Sequence, residues 1–167
     1  MDLPTLETDR LLMRPFVDAD LDAYAEIMGD PEVVRYLGQA PNTRDDAWRS
    51  MAQFLGHAIL RGYTNNAVIE KATGRLLGRC GLWNPEGWPG LEVGWTFGRF
   101  AWGNGFATEA GAAWRDYAFD ELGASELISV IHVENDASIA VAERIGHTRW
   151  REQEVRGFPC AIYGQRR

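Results

Sequence analysis

Trp102-Gly103-Asn104-Gly105-Phe106-Ala107-Thr108-Glu109-Ala110 decides how this chain is read. Two glycines separated by one residue stand between a stretch suited to a strand, Leu91 to Phe97, and a helical pattern that begins near Gly105. Glycine permits φ > 0 and leaves no Cβ to hold a ligand off the backbone. The helix that follows offers unpaired N–H groups and the positive end of its dipole. Such a turn is a cradle for a phosphate or pyrophosphate. It is not a dinucleotide fingerprint. Thr108 stands where a third glycine or alanine is required, and the loop follows apparent antiparallel strands rather than opening a parallel βαβ unit. The Gly-Lys-Ser/Thr of a Walker loop is absent as well.

Working outward, Leu6 to Phe16 reads as a strand, broken by Pro15 and Asp18-Ala19-Asp20. Asp18 or Asp20 caps a helix carrying Leu21, Tyr24, Ile27 and Met28, and Gly29-Asp30-Pro31 ends it. Pro31 to Leu37 is a short helical turn. Thr43 to Arg61 is an amphipathic helix with Ala47, Met51, Phe54, Leu55, Ala58 and Ile59 inward, stopped by Gly62. Asn66 to Glu70 and Arg75 to Leu82 form a hairpin about Lys71-Ala72-Thr73-Gly74. Asn84 to Gly90 is a loop of turn formers. Past the glycines, the helix runs to about Leu122, with Ala107, Ala110, Gly111, Trp114 and Ala118 on one face. A strand follows at Leu127 to Val133, then a helix from Ala137 to Ile145 capped by Asp136. Arg149 to Val155 and Cys160 to Gln165 pair about Gly157-Phe158-Pro159. The order β-α-α-β-β-β-α-β-α-β-β, without repeat or linker, predicts one α/β domain over residues 1–167 with a mixed sheet.

Composition narrows the function. An apolar fraction of 46% suits a packed core, and the formal charge of −7 disfavours a nucleic-acid binder. No apolar run is long enough to span a membrane, and Met1 to Glu7 has no signal-peptide pattern. The expectation is a cytoplasmic protein. Cys80, Cys160, His57, His132 and His147 are scattered without metal-ligand spacing, so no metal is expected.

The loop gains meaning from its neighbours. Gly103 to Ala110 resembles the acetyl-CoA pyrophosphate loop of the GNAT superfamily of N-acetyltransferases. Asn135-Asp136-Ala137-Ser138, followed by Val141-Ala142-Glu143-Arg144-Ile145-Gly146-His147, resembles that family's N-x-x-S signature and its helix. The opening Leu6-Glu7-Thr8-Asp9-Arg10-Leu11-Leu12-Met13-Arg14-Pro15 is similar to the branch that includes the ribosomal-protein alanine N-acetyltransferases. Leu77 to Leu82 and Leu91 to Trp95 fit that branch's central strands. One departure is Phe100, with Arg99 beside it, where the superfamily usually has Arg or Gln.

The resemblance implies a twisted, mixed and mostly antiparallel sheet flanked by helices, with splayed strands that hold acetyl-CoA as co-substrate. It implies acetyl transfer to an amine, either a protein N-terminus or a small molecule, by a monomer or homodimer. Pyrophosphate contacts would come from Trp102, Gly103, Asn104, Gly105, Phe106, Ala107 and Thr108, and pantetheine would pair near Phe97 and Gly98. Asn135 would touch pantetheine or cap its helix. Glu92 is the first candidate for the base, with Glu134 and His132 in reserve. Ser138 would meet the leaving sulfur, with Tyr163 as alternative donor. Trp83 and Trp88 would line the acceptor site, and Asp45, Asp46 and Glu86 are acidic groups that would attract a cation. The rival from another class is a non-catalytic acyl-CoA-binding or regulatory module on the same fold.

Overall fold

The computed structural model describes residues 3–167; Met1 and Asp2, the first residues of the stretch without a signal-peptide pattern, lie outside them. Within the described residues the strands are β1 (Leu6–Glu7), β2 (Leu11–Arg14), β3 (Asn65–Glu70), β4 (Leu76–Trp83), β5 (Glu92–Phe97), β6 (Glu126–His132), β7 (Thr148–Val155) and β8 (Phe158–Arg166). The helices are α1 (Leu21–Met28), α2 (Pro31–Val34), α3 (Arg44–Arg61), α4 (Phe106–Asp120) and α5 (Asp136–Arg144). All eight strands join one sheet in the order β1-β2-β3-β4-β5-β6-β8-β7. Every neighbouring pair is antiparallel except β5 and β6, which are parallel and share a single register pair, Glu92 with Ile128.

Alternating side chains give the sheet two covered faces. On one face Met13, Val68, Cys80, Leu82, Val93 and Phe97 pack against Phe106, Ala110, Trp114 and Ala118 of α4. On the other, Ala67 and Leu76 meet Tyr24 and Ile27 of α1 and Ala47, Met51 and Phe54 of α3. Gly111 lets α4 lie close to the sheet, since a Cβ there would sit 3.4 Å from the Trp95 ring.

Several sequence expectations change in detail. Neither Asp18 nor Asp20 caps α1 through its side chain; Asp20 stands at the N-cap but accepts from Arg14 (2.7 and 2.8 Å) and the Val17 N–H (2.9 Å). Leu6 to Phe16 is not one strand but a hairpin, with Leu6 opposite Met13 and a turn at Thr8-Asp9-Arg10. No glycine or proline marks that turn; Thr8 closes it on Leu11, its N–H donating to the Leu11 carbonyl (2.9 Å) and its Oγ1 accepting the Leu11 N–H (3.1 Å), and Thr8 and Arg10 also tie it to Glu109 of α4. Asn135, not Asp136, caps α5, because its Oδ1 accepts the Ser138 N–H (3.2 Å). The last hairpin turns at Arg156 (φ 50°) and Gly157 (φ 81°), a two-residue turn with both residues left-handed, so Phe158 and Pro159 belong to β8. On α3, Ile59 faces solvent at 65% exposure and His57 takes the inward place, its Nδ1 against the Tyr63 carbonyl (2.8 Å).

Candidate active site

The glycine loop is built as a turn into α4. Gly103 and Gly105 both adopt positive φ (75° and 78°), and Gly105 is the N-cap, with no side chain capping the helix. Helix geometry leaves the N–H groups of Gly105, Phe106, Ala107 and Thr108 without intrahelical acceptors. The first backbone bond is from Glu109 to the Gly105 carbonyl (3.0 Å). Asn104 Nδ2 donates to the Ala101 and Trp102 carbonyls (3.1 and 3.0 Å). From the β1–β2 turn, Arg10 donates through Nη1 to the Asn104 carbonyl (2.9 Å) and through Nε to Glu109 (2.6 Å). Glu109 also accepts from Thr8 Oγ1 (2.6 Å) and the Arg10 N–H (3.1 Å). Glu109 is partly buried, yet the hydrogen bonds from Thr8 and Arg10 hold its carboxyl below the ordinary range. The loop's carbonyl side is thus tied down while its N–H side stays open.

Strand β5 leads to that loop along a parting of the sheet. The Ile128 N–H donates to the Leu91 carbonyl (2.9 Å), as in a parallel ladder. One step further the ladder would join the Val130 N–H to the Val93 carbonyl. Instead, Val130 donates to Glu92 Oε1 (3.1 Å), and Val93 accepts from Ser129 Oγ (2.7 Å). Side chains therefore satisfy both groups and the strands diverge. The Gly98 N–H bonds to the Leu77 carbonyl (2.9 Å) on the β4 side, so by alternation the backbone groups of Trp95 and Phe97 face the gap. Trp102 Nε1 occupies the Phe97 carbonyl (2.8 Å). What remains open along β5 is the N–H of Phe97 and both groups of Trp95. Of the two positions expected to pair with pantetheine, Phe97 keeps only its N–H for this, and the N–H of Gly98 is taken.

A cavity of about 420 Å³ opens at the parting, on the face covered by α1 and α3. Glu92 lines it, as do Trp83, Trp88, Trp95, Asn135 and Ser138. Glu92 is 9% exposed and, among the described residues, is the only carboxylate in the lining. Its Oε2 accepts from Trp88 Nε1 (2.8 Å). Burial outweighs these hydrogen bonds and the nearby Arg79 charge and raises the Glu92 pKa to about 7. Ser138 Oγ accepts from Trp95 Nε1 (3.3 Å), leaving its own O–H to donate.

The other candidates separate. His132 lines the cavity with Nδ1 accepting the Glu134 N–H (3.2 Å), while Glu134 itself is exposed and outside it. Tyr163 is buried beside Trp95 and Ala142 and does not reach the cavity. Asp46 and Thr43 form a capping box, Asp45 pairs with Arg49, and Glu86 faces Arg61 (3.6 Å), all away from the cavity. Asn65, Arg79 and Thr96 are among the lining residues that the sequence reading did not single out. Only Arg79 left a trace, as a lone charge in the apolar run Leu76-Leu77-Gly78-Arg79-Cys80-Gly81-Leu82.

Comparison with known proteins gives this geometry its relatives. The acetyltransferase (GNAT) domain family matches residues 10–148. The chain is 34% identical over 139 residues to an uncharacterized N-acetyltransferase, p20, of Bacillus licheniformis, covering 82% of this chain and 78% of that one. A crystal structure of an acetyltransferase from Agrobacterium tumefaciens superposes with a TM-score of 0.89 at 30% identity, over 100% of this chain and 96% of the other. The ribosomal L7/L12 α-N-protein acetyltransferase RimL, solved in complex with coenzyme A, shares the fold at a TM-score of 0.81, 14% identity and 98% coverage of each chain.

Proposed function

Because the chain belongs to the GNAT acetyltransferase family, we propose that it moves an acetyl group from acetyl-CoA to an amine within the cavity at the β5–β6 parting. The pyrophosphate of CoA is received by the open N–H groups of Gly105 to Thr108, with Trp102, Gly103 and Asn104 shaping the approach. The free N–H of Phe97 and the backbone of Trp95 take pantetheine, which completes the interrupted ladder as a strand would. Asn135 acts by capping α5 and so fixes Ser138 at the sulfur.

An alkyl ammonium has a pKa of roughly 10, so it must lose a proton before it attacks. Glu92 takes that proton, directly or through a water. The nitrogen then bonds to the thioester carbon, its second proton passes to the departing sulfur through Ser138 or a water, and the C–S bond breaks. An N–H on β5 meets the developing oxyanion. Ser138, whose O–H is free, donates to the departing thiolate.

The observation that carries this reading is Glu92 itself: a single buried carboxylate facing the cavity, with a pKa of about 7. Its test is the pH profile of kcat/KM. The wild type rises through about pH 7 as Glu92 ionises. Glu92→Gln loses that limb and about 10²- to 10⁴-fold in kcat. An equal loss at every pH assigns proton removal elsewhere.

One observation favours the rival reading, a binding module. Both Glu92 oxygens are already engaged, by Trp88 and Val130, as a purely structural plug would be. Thiol release from acetyl-CoA across a panel of amines separates the two; CoA binding without turnover on any amine supports the module.

A further inference from the structure

Further along β5, on the same sheet face as Glu92, the cavity holds an arrangement the reaction above does not use. Arg79 on β4 and Thr96 on β5 are register partners and line the same cavity. Arg79 Nη1 donates to Asn65 Oδ1 (2.9 Å), but its Nε is buried without a partner. No carboxylate among the described residues pairs with it, although most arginines of this chain have one. Thr96 is 6% exposed and its Oγ1 is likewise buried and unpartnered. A guanidinium with no carboxylate and a hydroxyl with no partner are therefore set side by side in the cavity wall. Native proteins rarely leave such groups unmet.

We propose that the acceptor is a small amine that also bears a carboxylate, which Arg79 and Thr96 bind while Glu92 receives its amine. This rests on the acetyltransferase reading above. The charges suit a zwitterion: one carboxylate in the lining, one inward arginine, and Arg156 in the β7–β8 turn beside Trp88. A single guanidinium and a hydroxyl match the single charge of a carboxylate. Asn65 aims the arginine by holding Nη1, leaving Nη2 for the ligand. A protein N-terminus offers a neutral amide carbonyl there, which accepts a hydrogen bond but brings no charge to meet the guanidinium. Amino acids with a free carboxylate fit the site better than peptides.

The test compares amino acids with α- or ω-amines, their carboxamides, and short peptides, by thiol release from acetyl-CoA. In the wild type kcat/KM favours each carboxylate over its carboxamide by about 10- to 100-fold. In Arg79→Gln the ratio falls to near one. Thr96→Val, which removes a hydroxyl with no partner in the free protein, keeps the fold and lowers the ratio several-fold. Carboxamides or peptides used as well as amino acids, or a preference that survives Arg79→Gln, overturn the proposal. Calorimetry of the same pairs on CoA-loaded protein reads the preference without turnover. A preference in binding with no thiol release leaves the carboxylate site standing and removes the transferase reading. No preference in either measurement overturns the site.

Discussion

Glu92 stitches the parted strands through Val130 and Trp88 and also faces the cavity, and its protonation ties stability to pH. Burial raises its pKa from the ordinary 4.5 to about 7. Between those values the folded protein keeps a proton that the unfolded chain has lost. The associated stability is complete below about pH 4.5 and is lost as pH rises through 7, about 3 kcal/mol in all. In urea unfolding, the difference between wild type and Glu92→Gln is expected to move by about that amount in favour of glutamine from pH 4 to pH 8. A difference that does not change with pH means the carboxyl titrates normally. Three residues that share its cavity fared unequally in the sequence. Trp88 sits in a conspicuous Pro/Gly loop four positions away, so its neighbourhood to Glu92 was legible. Arg79 and Thr96, four residues along β5 from Glu92, come beside one another only through the register of β4 and β5, which no single strand displays.

At the scale of elements, the β1–β2 turn is the clearest case of structure that apolar spacing and glycine stops do not mark. Thr8-Asp9-Arg10 has no glycine or proline; Thr8 closes the bend on Leu11, and Glu109, far along the chain, braces it. The strands from β3 onward, α3 and α4 were legible because their apolar spacing and glycine stops are local. The glycine loop was legible because a positive φ at Gly103 and Gly105 must be written into the residue type. Its bracing was not, since an arginine on an exposed turn looks like surface charge. Arg10→Ala is expected to leave the fold intact and weaken CoA binding about 3- to 10-fold, by loosening the loop rather than by removing a ligand contact. Calorimetry with CoA checks this; an unchanged affinity means the loop stands without the clasp. Gly105→Ala places a Cβ at φ 78° and 3.5 Å from the Arg10 Nη2, and is expected to cost about 1–2 kcal/mol of stability together with CoA affinity.

The whole molecule is a sheet of two parts, β1 to β5 and β6 with β8 and β7, joined at one register pair. This layout makes a gap in which the backbone of β5 is unpaired inside an otherwise continuous ladder. The amides of Trp95 and Phe97 are therefore expected to exchange hydrogen quickly in the free protein and to slow on CoA binding, while Val93 and Ile128 stay protected throughout. Slow exchange at Trp95 without CoA means the gap is closed in solution. The clasp of Arg10 on Asn104 and Glu109 has a consequence in time as well as in space. It joins the first hairpin to a loop some 94 residues on, a contact whose closure comes late in folding. During synthesis the hairpin leaves the ribosome long before there is anything for it to grip. Competence to take up CoA is then among the last properties the chain acquires, and a refolding time course followed by CoA binding should lag the one followed by secondary structure.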